Sequence, residues 1–424
     1  MVTDLNYASL PLLAVLVAAT LAPVEAEATN GYFTHGFGVR AQGVAGVGYA
    51  LPQDSLAAAT NPAGTGLVGD RLDLGMTWFK PNRGADITGN LAGADGHYDG
   101  SDDASFLIPE FGFTQTISER ASWGLAVYGN GGMNTSYREN PFAAFGSTGR
   151  AGVDLSQLFI TPSLAFKVTA EHTIGLAATY AHQRFEASGL SAFDNPAFSN
   201  RPGSLTDRGH DTADGWGVKL GWTGKLHERF TVGAAWSSRI ATDEFNRYSG
   251  LFADNGGFDI PETWGVGIAW QALPALTVAA DWQHIDYGTT RSVGNTLSLL
   301  FEGNLFGAAS GPGFGWQDVE VAKLGVVYTV APSVILRAGI SHTDQPIPEG
   351  ETFINILAPG VVEDHASIGA TWQSETFGEW SFAYTRVLEE TIRGNNSIPL
   401  AFGGGEADLR MDQHILGIAW TKEF

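Results

Sequence analysis

The sequence predicts an all-β fold: a 14-stranded antiparallel transmembrane β-barrel with an N-terminal plug in its lumen. Fourteen stretches alternate apolar with small or polar residues, which is the period of a strand whose two faces differ. Short links alternate with long ones, the asymmetry typical of barrels that span a membrane. The composition agrees, because 55 Gly and 11% aromatic residues accompany only 16% charged residues.

The predicted strands follow one another from about residue 70 to the last residue. They cover residues 70–82, 105–117, 121–136, 153–168, 173–187, 214–225, 230–241, 258–270, 276–288, 317–330, 334–343, 363–374, 380–391 and 408–424. The short links are residues 118–120, 169–172, 226–229, 271–275, 331–333 and 374–379, and the longer links lie between them. Short turns at one end and long loops at the other make the two ends of the barrel different.

The two faces of each strand predict which side meets lipid. In the last strand Leu416, Ile418 and Trp420 alternate with Gly417 and Ala419. The same alternation directs Asp281, Lys219, Lys323 and Arg337 into the lumen. Five Trp residues stand beside short turns, which predicts an aromatic ring at one membrane interface: Trp123, Trp222, Trp270, Trp372 and Trp380.

The chain begins with a predicted signal peptide over residues 1–28. Leu10 to Ala22 is apolar, and Ala26-Glu27-Ala28 resembles a cleavage site for export. The apolar run is shorter than the ~20 residues of a spanning helix. Residues 69–424 are predicted to form the barrel.

Residues 29–68 are predicted to plug the barrel, and we call them the hatch. They lack lipid-facing alternation and are rich in Gly and Ala. Leu56 to Ala59 predict one helical turn begun at Asp54 or Ser55, and Asn61-Pro62 ends it. A 14-stranded barrel is wide enough to hold such a segment.

Several short motifs carry a family resemblance. They are Asn30-Gly31-Tyr32-Phe33, Asn61-Pro62-Ala63, Gly129-Asn130-Gly131-Gly132, Gly250-Leu251-Phe252 and Asp344-Gln345-Pro346-Ile347-Pro348. In this order and spacing the chain resembles the FadL-type outer-membrane transporters of hydrophobic compounds, and the match spans the whole mature chain.

The resemblance implies passive uptake of long-chain fatty acids or other lipophiles by a monomeric barrel in the outer membrane of a Gram-negative bacterium. The implied partners are a hydrophobic small molecule, outer-membrane lipid and lipopolysaccharide. It also implies release through the barrel wall at a kink in the third strand, where Gly129, Asn130, Gly131 and Gly132 lie. Gly tolerates the backbone of a bulge, so these residues can also form a bulge without an opening.

Other candidate residues follow from position. Asn61-Pro62-Ala63 predicts a fixed turn that is either a rigid plug turn or a pivot of the hatch. Asn30, Tyr32 and Phe33 could line a ligand pocket, with Lys323 or Arg337 facing a carboxylate or pairing across the barrel. Five apolar residues of two long loops could form an outer landing surface or pack loop against loop: Phe193, Phe198, Phe245, Leu251 and Phe252.

The sequence favours no enzyme, cofactor or metal. It contains no Cys, its ten His have no metal-ligand spacing, and G-x-S-x-G is absent. The acidic segment from Asp95 to Asp103 departs from EF-hand spacing. A net charge of −22 argues against nucleic-acid binding. Two alternatives remain: a general porin for hydrophilic solutes, and an outer-membrane hydrolase with a Ser–His pair.

Overall fold

The computed structural model describes residues 30–424, so the predicted signal peptide lies outside the described residues. Fifteen strands form one antiparallel sheet in this region. They are β1 (Arg71–Thr88), β2 (Gly96–Asp99), β3 (Phe106–Ser118), β4 (Ala121–Tyr137), β5 (Ala151–Lys167), β6 (His172–Ser188), β7 (Asp211–His227), β8 (Phe230–Ser237), β9 (Thr263–Leu273), β10 (Leu276–Ile285), β11 (Val319–Ala331), β12 (Val334–Thr343), β13 (Asp364–Ser374), β14 (Gly378–Ile392) and β15 (Glu406–Glu423).

Fourteen of these strands close into a barrel, which confirms the predicted fold class. Each pairs with its neighbour in the chain, and β15 closes the barrel by pairing with β1 from Arg71 to Thr88. The remaining strand, β2, pairs only with the outer part of β1. Closure leaves no long unpaired edge, as a bilayer requires.

The helical segments in the described chain are short and lie in the hatch and the long loops. The α-helical turns are Val39–Gln42, Ala253–Gly256, Arg291–Gly294 and Thr352–Asn355. The 3-10 turns are Ser55–Ala59, Pro62–Gly66, Ala143–Phe145, Asn246–Tyr248, Leu297–Glu302, Glu349–Glu351 and Leu400–Phe402. Within residues 30–424, none of the helices has the length and apolar character needed to cross a bilayer.

The strand faces lie as the alternation predicts. On β13, Ile368 is 61% exposed on the outer surface. Ser367 and Thr371, which face the other side of the same strand, are buried. In the predicted ring of Trp residues beside the short turns, Trp372 of β13 and Trp380 of β14 are directly paired.

Three strand boundaries differ from the prediction by about four residues or more, and the others differ by less. β1 continues to Thr88 and β2 was not predicted, because polar strands above the membrane need no lipid-facing alternation. β8 ends at Ser237 rather than at residue 241, and β9 begins at Thr263 rather than at residue 258. The intervening Ile240 and Ile260 turn inward and are buried.

Residues 30–65 of the hatch are largely buried inside the barrel, held by inward polar side chains from several strands, and Leu67 is exposed where the hatch leads into β1. Asp281 of β10 accepts hydrogen bonds from the amides of Gly48 (2.7 Å) and Tyr49 (3.0 Å). On the other side, Glu110 of β3 accepts from the amide of Val39 at 3.0 Å. The predicted turn begins at Asp54, whose carboxylate caps the amide of Leu56. The bore is therefore filled, not open.

Candidate functional site

An apolar cleft lies among the long loops at the outer end of the barrel. The space in it that is open to the centre of a water-sized sphere is about 40 Å³, so the cleft is narrow, and all its lining residues are aromatic or aliphatic. We call it the outer pocket; it is lined by Phe142, Leu190, Phe193, Leu205, Leu251, Leu297, Leu300, Phe306, Phe353, Ile354, Leu357 and Phe402. Such a lining suits a ligand without polar groups.

The five predicted loop residues divide into two groups. Phe193 and Leu251 line the outer pocket, and the Phe198 ring lies 5.8 Å from that of Phe193. Phe245 and Phe252 lie elsewhere, fully enclosed against Phe185 of β6. These two residues are therefore part of the loop packing and not of an exposed surface.

Most of the outer pocket comes from loops that the sequence did not single out. Phe142, Phe353 and Phe402 belong to three different long loops and pack edge-to-face or tilted against one another or Phe193. Beside them Glu351 accepts a hydrogen bond from the amide of Leu297 at 3.0 Å, and burial raises the pKa of its carboxyl. In the sequence, the signal for this pocket is that each long loop contains at least one aromatic residue.

A buried aromatic cluster lies between the loops and the hatch. Tyr32 is at its centre, with ring centroids of Phe33, Tyr287 and Trp316 at 5.2, 5.1 and 5.9 Å. The hydroxyl of Tyr287 donates to the carbonyl of Asn30. The predicted pocket residues Asn30, Tyr32 and Phe33 are thus brought together here.

A second cavity lies inside the barrel, and we call it the inner cavity; the space in it that is open to the centre of a water-sized sphere is about 30 Å³. Phe33, Phe37 and Tyr49 contribute aromatic lining, and Lys219 and Lys323 contribute ammonium groups. Phe33 belongs to both this lining and the aromatic cluster. The cavity is therefore amphipathic and adjoins the cluster.

Lys219 is a buried cation that the sequence placed in the lumen but not in the site. Its Nζ donates to the carbonyl of Ala59 at 2.6 Å and lies 6.0 Å from the ring centres of Phe37 and Tyr128. Across residues 30–424 it forms no ion pair. A buried ammonium with so few partners favours an anionic ligand.

Lys323 and Arg337, by contrast, are occupied by the hatch and the wall. Lys323 donates to the carbonyl of His35 at 3.0 Å and is the register partner of Asp281. Arg337 donates to the side chains of Gln53 and Thr371. Of the two, only Lys323 lines the inner cavity.

The Asn61-Pro62-Ala63 turn fastens the hatch to the wall. Asn61 accepts from the amide of Ala63 at 3.0 Å and donates to the carbonyls of Tyr49 (2.7 Å) and Trp222 (3.1 Å). The turn can approach this closely because paired glycines stand opposite it on β6 and β7. A Cβ on Gly175 or Gly221 would overlap the turn.

The wall has an opening between β3 and β4, in its outer half. Their pairing begins at the short turn between Ser118 and Ala121 and stops at Phe111 and Val127. Beyond that point β3 continues to Phe106 and β4 to Tyr137 without pairing to each other. Above it, a bridge between Ser101 and Ser136 closes the gap. We call this opening the β3–β4 window.

The hatch replaces β3 as the partner of β4 at this window. β4 bulges at Asn130, where its register with β5 shifts between Gly129 and Gly131. Phe33 forms a bridge with Gly131, and the amide of Thr34 donates to the carbonyl of Asn130 at 3.0 Å. The predicted glycine segment therefore lies at both the gap and the hatch contact.

No group of three or more metal-binding side chains is assembled within residues 30–424.

Comparison with known proteins agrees with this architecture. The family model described as outer membrane protein transport protein (OMPP1/FadL/TodX) matches residues 16–424. No curated protein sequence matches.

Several solved structures share the fold. The toluene transporter TodX of Pseudomonas putida is 16% identical, with a TM-score of 0.68 over 92% of this chain and 99% of that one. A Pseudomonas aeruginosa FadL homologue is 18% identical, with a TM-score of 0.68 over 93% of this chain and 100% of the other. The Ralstonia pickettii toluene transporter TbuX is 17% identical, with a TM-score of 0.63 over 92% and 99%.

Proposed function

Because the chain belongs to the OMPP1/FadL/TodX family of outer membrane transport proteins, we propose that it carries lipophilic molecules passively through a hatch-plugged barrel and releases them sideways into the membrane. The family consists of outer-membrane channels for hydrophobic compounds and not of enzymes. The cargo and the route are the parts that we propose here.

The outer pocket carries this proposal. Its lining is wholly apolar and comes from six long loops, so it offers a lipophile shelter from water at the cell surface. Burying a CH₂ group gains about 0.8 kcal/mol, so even a partly enclosed acyl chain is held. A porin for hydrophilic solutes would have no use for such a lining.

The route inward follows the aromatic side chains. Phe353 and Leu357 line the outer pocket. Between them, Oδ1 of Asn355 accepts a hydrogen bond from the indole Nε1 of Trp316 at 2.6 Å. Trp316 contacts Tyr32, whose neighbour Phe33 lines the inner cavity. We infer that a ligand passes from the outer pocket to the inner cavity by displacing parts of this cluster.

The β3–β4 window is the proposed exit. Returning a sixteen-carbon chain to water would cost on the order of 10 kcal/mol, whereas a sideways exit into the bilayer avoids that cost. Tyr32, Phe33 and Thr34 occupy the inner side of the window by pairing with β4. Movement of these residues would therefore open the window and make room in the inner cavity together.

The inner cavity favours a long-chain fatty acid. Lys219 offers a charge to the carboxylate, and the aromatic lining of Phe33 and Phe37 offers contacts to the chain. Hydrocarbons are the other candidate cargo, because the outer pocket is apolar throughout and two similar folds belong to toluene transporters.

Uptake into cells tests the proposal. A Gram-negative strain without its own transporters of this kind would express the chain and receive radiolabelled palmitate or toluene. We expect faster uptake than in cells with an empty vector, and no swelling of proteoliposomes in sugars. Sugar permeation without faster lipophile uptake would instead support the porin alternative.

A further inference from the structure

We propose that the barrel wall contains a second lateral opening, between β8 and β9, that connects the inner cavity with the outer leaflet of the membrane. The inference rests on the proposed function, because it gives the same lipophilic cargo another exit. β8 is a short strand of 8 residues, although its neighbour β7 has 17. The wall is thus built differently beyond Ser237.

Backbone pairing is interrupted just above that residue. Ser237 pairs with Thr263, and pairing resumes only with the isolated bridge between Ile240 and Ile260. In between, the amide of Ser238 donates to Val218 of β7 at 2.9 Å and so faces away from β9.

The facing segment, residues 261–262, precedes β9 and offers few hydrogen-bond donors, because Pro261 has no amide hydrogen. Across the described chain, no backbone hydrogen bond joins residues 238–239 to residues 261–262. We call this gap the β8–β9 window.

A small cavity lies behind the β8–β9 window, with about 30 Å³ of space open to the centre of a water-sized sphere. Its wall side is formed by Ser237, Ser238 and Pro261, and its inner end reaches Phe33 and Lys219. Phe33, Lys219 and Ser237 also line the inner cavity. A ligand held beside Lys219 therefore has a continuous surface to follow to the wall.

The outer surface at this height is suited to a lipid interface. Trp236 and Trp264 are paired across β8 and β9 directly below the window, and Trp264 is 39% exposed. Trp216 on β7 is 67% exposed. Trp side chains prefer the boundary between headgroups and acyl chains. The window thus opens toward the outer leaflet rather than toward bulk water.

An ion pair between Arg239 and Asp259 crosses the outer part of the window. The Nη2 of Arg239 lies 2.6 Å from Oδ2 of Asp259, and the arginine side chain is 43% exposed. Exposed pairs of this kind contribute little stability. Ser237, Ser238 and Thr263 give the cavity behind the window small side chains and a narrow lining, so the ligand class that we propose is a slender lipophile such as a fatty acid.

A reversible crosslink across the window tests the proposal in the full chain. The protein contains no Cys, so Ser238→Cys with Glu262→Cys introduces one disulfide. We expect oxidation to cause a partial loss of palmitate uptake, which reduction restores. The matched control, Ala234→Cys with Val266→Cys, joins two register partners in the paired wall below, and its oxidation should change nothing.

The outcomes separate the two proposals. If the unmodified protein takes up no lipophile, the proposed function fails. If it does, and oxidation of the 238/262 pair leaves uptake unchanged, the second opening is refuted.

Photolabelling of the unmodified protein covers the case in which the paired variant does not assemble. A C16 fatty acid with a diazirine near its tail would be photolysed in the reconstituted protein, and the adducts mapped by mass spectrometry. Adducts at residues 238–239 or 261–262 support the second opening; adducts confined to the outer pocket and the β3–β4 window overturn it.

Discussion

The carbonyl oxygen of Tyr32 accepts a hydrogen bond from the amide of Gly132 at 2.8 Å. This bond joins the hatch to β4 where β4 is not paired with β3. The same contact covers the gap in the wall and holds the first described residues inside the barrel. The hatch and the β3–β4 window are therefore linked by backbone hydrogen bonds. Any change that separates Tyr32 from β4 should affect both.

Gly131→Ala should separate them. A Cβ at Gly131, where φ is +153°, would overlap the carbonyl oxygen of Tyr32. We expect residues 32–34 to leave β4, which would raise the open probability of single channels in planar bilayers and expose the segment to protease.

Gly146→Ala is the matched control for that substitution. Gly146 also has positive φ, +103°, but no atom lies within 4 Å of an added Cβ. The control should behave as the unmodified protein. A Gly131→Ala channel that stays closed and protected would show that the window does not depend on this contact.

Asn61→Ala should loosen the hatch without moving the window directly. The substitution leaves the buried carbonyls of Tyr49 and Trp222 without the side-chain donor of Asn61, at a cost of about 1–3 kcal/mol. Hydrogen exchange of the amides in residues 48–66 should therefore accelerate roughly tenfold or more. Asn246→Ala, at an exposed loop position, is the control. If the amides of residues 48–66 exchange equally fast in both variants, the Asn61 hydrogen bonds do not hold the hatch.

Phe193→Gln should weaken capture at the cell surface. It places an amide in a pocket that has no polar lining, which costs about 1–3 kcal/mol unless the amide finds a partner. Binding of a fluorescent fatty acid to the purified protein should weaken by about tenfold. Phe377→Gln, on an exposed inner turn, should bind normally; identical affinities would remove the outer pocket from the route.

The barrel strands could be predicted because a lipid-facing strand carries its own signal. In β15 the alternate residues Leu416, Ile418 and Trp420 face lipid and are apolar, and this period can be read without knowledge of the neighbouring strands. β2 lies above the membrane and pairs with Gly84 to Ile87, where no such constraint acts. Its sequence Gly96-His97-Tyr98-Asp99 therefore gave no strand signal.

The site could be predicted only where a single segment carries it. The turn at Asn61 and the bulge in the Gly129–Gly132 segment could be predicted because both depend on local backbone chemistry. The outer pocket gathers Phe142, Phe353 and Phe402 from distant loops, and such proximity depends on loop conformations that no local pattern encodes. The direction of Phe245, toward Phe185, depends on the same long-range packing.

Lys219→Met should distinguish acid cargo from hydrocarbon cargo. Methionine keeps much of the side-chain length but removes the charge beside Phe37, so a carboxylate in the inner cavity would lose a charge-assisted hydrogen bond worth about 1.5–3 kcal/mol. We expect palmitate to bind roughly tenfold or more weakly while toluene uptake stays unchanged. The control is Lys225→Met, an exposed lysine on the same strand, which should leave both unchanged. If Lys219→Met weakens toluene and palmitate equally, Lys219 supports the hatch through the carbonyl of Ala59 and does not recognise a head group.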